Sequence, residues 1–284
     1  MTLDTRSPRT TRVPLRAVPR HVTLALLAAL STFPIVLILS TALKTPEDVR
    51  TNPFGLFSSF SWDNIVQAWT AGKFSEYFFN SVLLTGPTTI LVLVISTMGG
   101  YAFARLPFRG RGLIFYVSTL GLLVPFFAYM IPLYFQLKTM SLLNTYPGVV
   151  LVLTSIALPF GLFFMRAFFL ELPNEIEDSA RIDGCSEFQI FLRVMLPLGA
   201  PGLGTLAIFT ALQTWNNFLV PLLFLPGGSL RPLTTGIYLF AGGRSAEIGP
   251  LAAGTLITII PIIVLFIALQ RQVVAGFLAG AVKG

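Results

Sequence analysis

Apolar residues in this chain come in long, nearly unbroken runs, separated by short polar stretches. Water-facing strands alternate every second residue, and water-facing helices carry a polar face every turn; neither pattern dominates here. Six runs approach or exceed the roughly 20 mostly apolar residues that carry a helix across a bilayer. They cover 22–43, 80–104, 112–136, 147–165, 199–225 and 250–270, and none contains Asp, Glu, Lys, Arg or His. In hydrocarbon every backbone N–H and C=O needs a partner within its own segment or within a closed barrel. Barrel strands would read as alternating segments of about ten residues, so the runs predict helices. Pro34, Pro125, Pro132, Pro159, Pro221 and Pro261 fall inside them and predict kinks. The expected fold is an all-α polytopic membrane protein with six transmembrane helices.

Composition supports that class. Of the 284 residues 54% are apolar and only 11% charged, against about 25% charged in soluble domains; mean hydropathy is +0.79. The single cysteine, Cys185, excludes an intramolecular disulfide and a cysteine zinc site. The single histidine, His21, leaves little room for imidazole catalysis or metal binding.

The net charge of +7 is explained by topology. Arg6, Arg9, Arg12, Arg16 and Arg20 precede the first run, which is too long for a signal-peptide core and is followed by no small-residue cleavage site. With the N-terminus placed in the cytoplasm, Arg105, Arg109, Arg111, Arg166, Arg181, Arg193, Arg271 and Lys283 fall on the same side. Only Lys44, Arg50, Lys73, Lys138, Arg231 and Arg244 fall outside. That bias is the positive-inside pattern, and six spans return the C-terminus to the cytoplasm. The expected organisation is a basic cytoplasmic segment, 1–21, followed by one membrane domain, 22–284. A nucleic-acid partner is not implied, since the basic residues are spread among loops and not gathered on one face.

Between the fourth and fifth runs, residues 171–197 hold half of the chain's twelve acidic residues. Local signals predict two short helices at an angle. Asn174 with Glu177, and Ser186 with Gln189, have capping-box spacing. Gly184 stands where the first helix must stop, and Pro197 where the second meets the fifth run. Phe188, Phe191, Leu192 and Met195 recur at helical spacing. Such a pair, fixed to two spans, suits docking into a groove of a soluble partner; an ordinary solvated helical loop is the plain alternative.

Asp178-Ser179-Ala180, Gly184, Val194, Leu196 and Pro197 resemble the signature loop of the permeases of binding-protein-dependent ABC importers. That signature reads Glu-Ala-Ala, three residues, Gly, nine residues, Ile, one residue, Leu-Pro. Every spacing is kept; the departures are Asp for Glu, Ser for Ala and Val for Ile. Trp62-Asp63-Asn64, Tyr77-Phe78-Phe79-Asn80-Ser81, Tyr101-Ala102-Phe103-Ala104-Arg105, Ile131-Pro132-Leu133-Tyr134, Leu142-Leu143-Asn144-Thr145-Tyr146, Arg181-Ile182-Asp183-Gly184, Thr214-Trp215-Asn216-Asn217-Phe218 and the tail from Ala279 to Gly284 extend the likeness. Together they resemble the carbohydrate branch, in particular the second permease of maltose-type systems.

The resemblance implies a multi-pass protein of the bacterial inner membrane, with a second permease subunit (a heterodimer), two ATPase subunits and an extracytoplasmic sugar-binding protein as partners. No Gly-x-x-x-x-Gly-Lys-Ser/Thr loop occurs here, so no cofactor is expected on this chain, and ATP and Mg belong to the partner ATPase. The chain is expected to be a transporter subunit and not an enzyme. Residues expected to couple to the ATPase are Glu177, Asp178, Ser179, Ala180, Asp183, Gly184, Phe188, Leu196 and Pro197.

Candidate substrate-path residues are Tyr129, Tyr134, Gln136, Gln213, Asn216 and Asn217, because amides and aromatic rings suit a sugar's hydroxyls and apolar ring face. Hydrogen bonding between helices is the competing use of such groups, and it also explains Gly99, Gly100, Gly202 and Gly204 as close helix contacts. The outer loop 226–249 is a candidate contact for the binding protein. A gradient-driven transporter is the main alternative, but it would usually need a charged intramembrane site; a permease for a polyol or glycerol phosphate is a second. No clustered nucleophile, base or metal set suggests an intramembrane enzyme.

Overall fold

The computed structural model describes residues 18–242 and 247–281, with side chains described from Pro19 to Ala268. Arg6, Arg9, Arg12, Arg16, Arg244 and the last three residues lie outside the described residues, as does the Arg271 side chain. Among the described residues the regular structure is helical throughout. Helix α1 (Val18–Ala42) is followed by the short α2 (Pro46–Thr51) and α3 (Asp63–Trp69), then by α4 (Phe74–Arg105). Next come α5 (Arg111–Leu120), α6 (Phe126–Thr139) and α7 (Tyr146–Glu171). The polar loop holds α8 (Asn174–Ile182), α9 (Glu187–Ile190), a π turn over Phe191–Met195 and α10 (Leu196–Leu198). The chain ends with α11 (Ala200–Trp215), α12 (Leu219–Phe224), a 3-10 turn at Gly228–Leu230, α13 (Leu233–Ala241) and α14 (Ile248–Ala281).

Four of these helices are long and apolar enough to cross a membrane: Pro19–Ala42, Phe74–Arg105, Tyr146–Glu171 and Ile248–Ala268. Glu187–Leu198 and Ala200–Trp215, bent by 70° at their junction, qualify as a fifth when taken together. Two predicted runs are therefore not single rods. The third, 112–136, breaks between α5 and α6, where Pro125 has no N–H to continue a helix and biases the residue before it away from helical geometry. The fifth, 199–225, breaks at Asn216–Phe218, and Asn217 Oδ1 accepts the Val220 N–H of α12 at 3.0 Å. A side-chain acceptor offered to the backbone is what starts a new helix instead of extending the old one.

At the centre, α4 lies along α7, and α11 packs on both. In lipid no hydrophobic force draws helices together, so close backbone approach must supply the attraction. Small residues allow it here. A Cβ on Gly100 would sit 2.6 Å from Met165 Cβ, and one on Gly202 only 2.8 Å from the Phe168 ring. Within 226–242, α13 is docked on the bundle: Leu233, Thr235 and Gly236 are buried, and the Ser81 hydroxyl of α4 accepts the Leu233 N–H at 2.9 Å.

Candidate functional site

The polar loop is held at one end of the bundle, where α4 and α7 both finish. Its first helix starts differently from the capping-box expectation. Pro173 is the N-cap residue and gives no side-chain cap, while Asn174 is already helical. Asn174 and Glu177 instead turn toward Arg105, the last residue of α4. The Arg105 guanidinium donates to Asn174 Oδ1, to the Phe169 carbonyl at 2.6 Å and to the Leu172 carbonyl. Its Nε lies 3.5 Å from Glu177 Oε1, with only 6% and 4% of the two side chains exposed. Arg105 thus caps the end of α7, adding to the Leu172 N–H that already reaches the Phe169 carbonyl at 3.3 Å, and fixes α8 to α4 and α7 at once. The Arg105–Glu177 approach is an ion pair without hydrogen-bond geometry. Burial accordingly pushes the Glu177 carboxyl up, and Arg105 and Arg181 offset this only in part.

A second arginine organises the outer side. Arg181 Nε donates to Glu187 Oε1 at 2.8 Å, and its terminal nitrogens reach Asp178 Oδ1 at 3.0 Å and Glu177 Oε2 at 3.4 Å. These bonds hold the Glu187 carboxyl below the usual carboxylate range and tie α8 to α9 across the turn. Being largely exposed, they orient more than they stabilise.

The turn itself needs glycine. Gly184 has φ +82°; its N–H bonds to the Arg181 carbonyl and the Cys185 N–H to the Ala180 carbonyl, both at 3.0 Å. That pair of bonds is the Schellman ending of a helix, in which the residue at the left-handed position is usually glycine. The second helix opens with the expected capping box: Ser186 Oγ accepts from Gln189 N, and Gln189 Oε1 accepts from Ser186 N.

The sequence-selected residues divide between inside and outside. Glu177 and Ala180 are buried, Ala180 in a cluster with Tyr101, Met165, Phe169, Ile190, Phe191 and Met195. Leu196 packs on the edge of that cluster, while Asp178, Ser179, Asp183, Gly184, Phe188 and Pro197 are exposed. The stripe Phe188, Phe191, Leu192, Met195 is split: Phe191 and Met195 are buried, Phe188 and Leu192 are not. An apolar stripe of about 100° is wider than the surface the bundle offers, so half of it stays free. Arg105 and Ile182 had not been selected. Ile182 is 86% exposed at the tip of α8; its only sequence signal is an apolar residue beside the turn glycine. Arg105 reads from sequence as one more topogenic cation. The outward surface therefore combines apolar Ile182 and Phe188 with carboxylates, of which Asp183 has no partner among the described residues.

The substrate-path candidates also separate. Gln213 and Asn217 line a cavity of about 280 Å³ walled by Phe160 and Phe209. With Asn216 and Phe218 they line a second, of about 540 Å³. No charged side chain lines either. The break between α11 and α12 places the amides there, since irregular backbone at membrane depth is tolerated where it lines a cavity. Asn216 Nδ2 returns to the Leu212 carbonyl at 2.9 Å, and the Gln213 amide has no partner among the described residues. Tyr134 instead stacks on Phe224, Tyr129 meets Phe126 edge-on, and Gln136 is exposed. None of these three lines either cavity.

Comparison with known proteins identifies the family and the fold. The model of the family described as binding-protein-dependent transport system inner membrane component matches residues 96–277. The diacetylchitobiose uptake system permease protein NgcG of Streptomyces coelicolor is 34% identical over 93% of this chain and 88% of its own. The arabinooligosaccharides transport system permease protein AraQ of Halalkalibacterium halodurans is 36% identical over 92% and 94%. The trehalose transport system permease protein SugB of Mycobacterium tuberculosis is 34% identical over 88% and 92%. A chain from the crystal structure of a bacterial ABC transporter involved in the import of the acidic polysaccharide alginate shares the fold, with a TM-score of 0.80, 20% identity, and 90% and 96% of the two chains covered.

Proposed function

The chain belongs to the family of binding-protein-dependent transport system inner membrane components, and from that premise we propose that it forms half of the path by which an ATP-driven importer carries a neutral sugar or oligosaccharide. A second permease subunit forms the other half. The spans number six, with α5–α6 as a broken third and α10–α12 as a broken fifth; both termini and the α8–α9 loop face the cytoplasm, where the basic residues concentrate. Two ATPase subunits bind ATP and Mg, and an external sugar-binding protein delivers the substrate.

The observation that carries the reading is the α8–α9 elbow. It presents Ile182, Phe188, Asp178 and Asp183 outward while Arg105 locks it to α4 and α7. A force on the exposed face is transmitted to two spans through a buried junction, and to α11 through the 70° bend. An ATPase that closes on ATP would thereby bias the bundle between two arrangements, which is what alternating access requires. Gln213, Asn216 and Asn217 supply neutral donors and acceptors at the span-five break, beside the Phe209 and Phe218 rings, the chemistry that a neutral sugar uses.

Purification of the tagged chain from native membranes, followed by mass spectrometry, tests the assembly. A Walker-motif ATPase, a second permease and a sugar-binding protein are expected together; recovery of the chain alone under mild detergent and crosslinking would count against it. The path has its own test. Gln213→Leu removes an amide with no partner among the described residues, so assembly should persist. Uptake at limiting substrate should fall about tenfold, the loss of one or two hydrogen bonds at about 0.5–1.5 kcal/mol each. Unchanged uptake would remove Gln213 from the path.

A further inference from the structure

Residues 52–62 join α2 to α3 and leave Phe54, Phe57, Phe60 and Trp62 exposed, Phe54 at 80% and Phe60 at 64%. A loop of this composition would ordinarily fold its rings inward and its serines outward. Here the rings stay outside, while the serines bond within the chain, Ser58 at the surface and Ser59 half-buried. Ser58 and Ser59 hydroxyls donate to Asp48 Oδ2 at 2.5 and 2.7 Å, and Ser59 Oγ accepts the Thr45 N–H at 3.1 Å. Ser40 Oγ accepts the Phe57 N–H at 2.8 Å, and the buried Lys44 donates to the Asn52 carbonyl at 2.7 Å. Phe57 is held at φ +50°, a conformation uncommon for a bulky residue. The polar network therefore fixes the backbone in an unfavourable turn that faces aromatic rings away from the protein.

We propose that this segment is a membrane anchor, with its rings lying in the headgroup region of the bilayer beside the end of the first span. Three observations favour lipid over water or another protein. The Ser61 N–H bonds to the Leu43 carbonyl at 2.7 Å, one residue beyond the end of α1, so the segment sits at the level where that helix leaves hydrocarbon. Residues 51–62 carry no charge, whereas a protein interface has a polar rim. The Ser58 and Ser59 hydroxyls and several backbone groups find partners within the chain, as a segment at the edge of hydrocarbon needs, and exposed Trp with Phe matches the apolar side of segments that lie in the membrane interface. The anchor fixes the depth of the first span.

Depth can be read with nitroxide labels on Phe54→Cys, Phe60→Cys and, as an aqueous reference on α2, Glu47→Cys, each in a Cys185→Ser background. The full chain is reconstituted into vesicles of phosphatidylethanolamine and phosphatidylglycerol, and collisions with oxygen and with a water-soluble nickel chelate are compared. The oxygen-to-nickel ratio is expected to be several-fold higher at 54 and 60 than at 47. A ratio equal to that at 47 would put the rings in water and overturn the proposal. Shielding from both reagents would mean that protein covers them, which overturns it equally.

Discussion

Replacing Arg105 with alanine is expected to strip the membrane of most correctly folded chain. The substitution leaves Glu177 buried with Arg181 Nη2, 3.4 Å from its other oxygen, as its one ion-pair partner among the described residues. It also removes the donors to the Phe169 and Leu172 carbonyls. Breaking one side of a buried ion pair costs about 3–5 kcal/mol, a large part of the 5–15 kcal/mol that holds a typical protein folded. Glu177→Gln should be milder, because Arg105 keeps its acceptors on Asn174, Phe169 and Leu172 and the carboxylate charge that burial disfavours is removed. The double variant Arg105→Met with Glu177→Leu should recover part of the loss. An apolar pair relieves the uncompensated charge but cannot bond the α7 carbonyls. Thermal aggregation followed by size-exclusion chromatography in mild detergent would rank the three. An Arg105→Ala midpoint equal to that of the parent would show that the junction is not fixed by this residue.

Gly184→Leu is expected to leave the bundle folded and to abolish productive coupling. A Cβ added at Gly184 meets no atom within 4 Å, so the effect does not begin with crowding at that atom. It comes from the backbone: at φ +82° a non-glycine residue is strained by about 1–2 kcal/mol. The elbow would relax that strain by turning α9, and with it Phe188, away from Ile182. One or two kcal/mol shifts the population of the docking-competent geometry by about 5–30-fold, and the leucine adds bulk to the face proposed to meet an ATPase. Gly184→Asn separates the two causes, since asparagine tolerates the left-handed region; it should keep most uptake. Uptake and ATP hydrolysis measured together in vesicles decide the matter. Full uptake by Gly184→Leu would sink the elbow's role, and equal loss in both variants would assign the effect to bulk and not to backbone.

Both variants concern groups that differ in how openly the sequence announces them. Gly184 was legible because a helix that stops between acidic and apolar turns needs a left-handed residue, and glycine is the one that adopts it freely. The Ser186–Gln189 box was legible for the same reason: its partners are three residues apart. Asn174 and Glu177 have that spacing too, yet the structure commits both to Arg105, some 70 residues earlier. Local spacing cannot reveal a competing partner brought in by a neighbouring helix. The broken fifth span shows the same limit, since Thr214-Trp215-Asn216-Asn217-Phe218 reads as polar residues within one apolar run. The interruption depends on the Asn217 side chain accepting the Val220 N–H instead of a group on a neighbouring helix.

What the sequence determined by itself is the solvent and the class. Long uncharged runs follow from the cost of placing charge and unpaired backbone in hydrocarbon, a constraint that acts residue by residue. The spacing from Asp178 to Pro197 likewise survives in one dimension, because the elbow is local. What only the tertiary structure decided is which polar group meets which: Arg105 with Glu177, Gln213 and Asn217 around shared cavities, Tyr134 against Phe224 and away from them, and Asp48 gathering the serines beneath the exposed rings. In a membrane helix the burial of a side chain is set by which helices pack beside it, and lipid gives the sequence no apolar–polar contrast to record that choice.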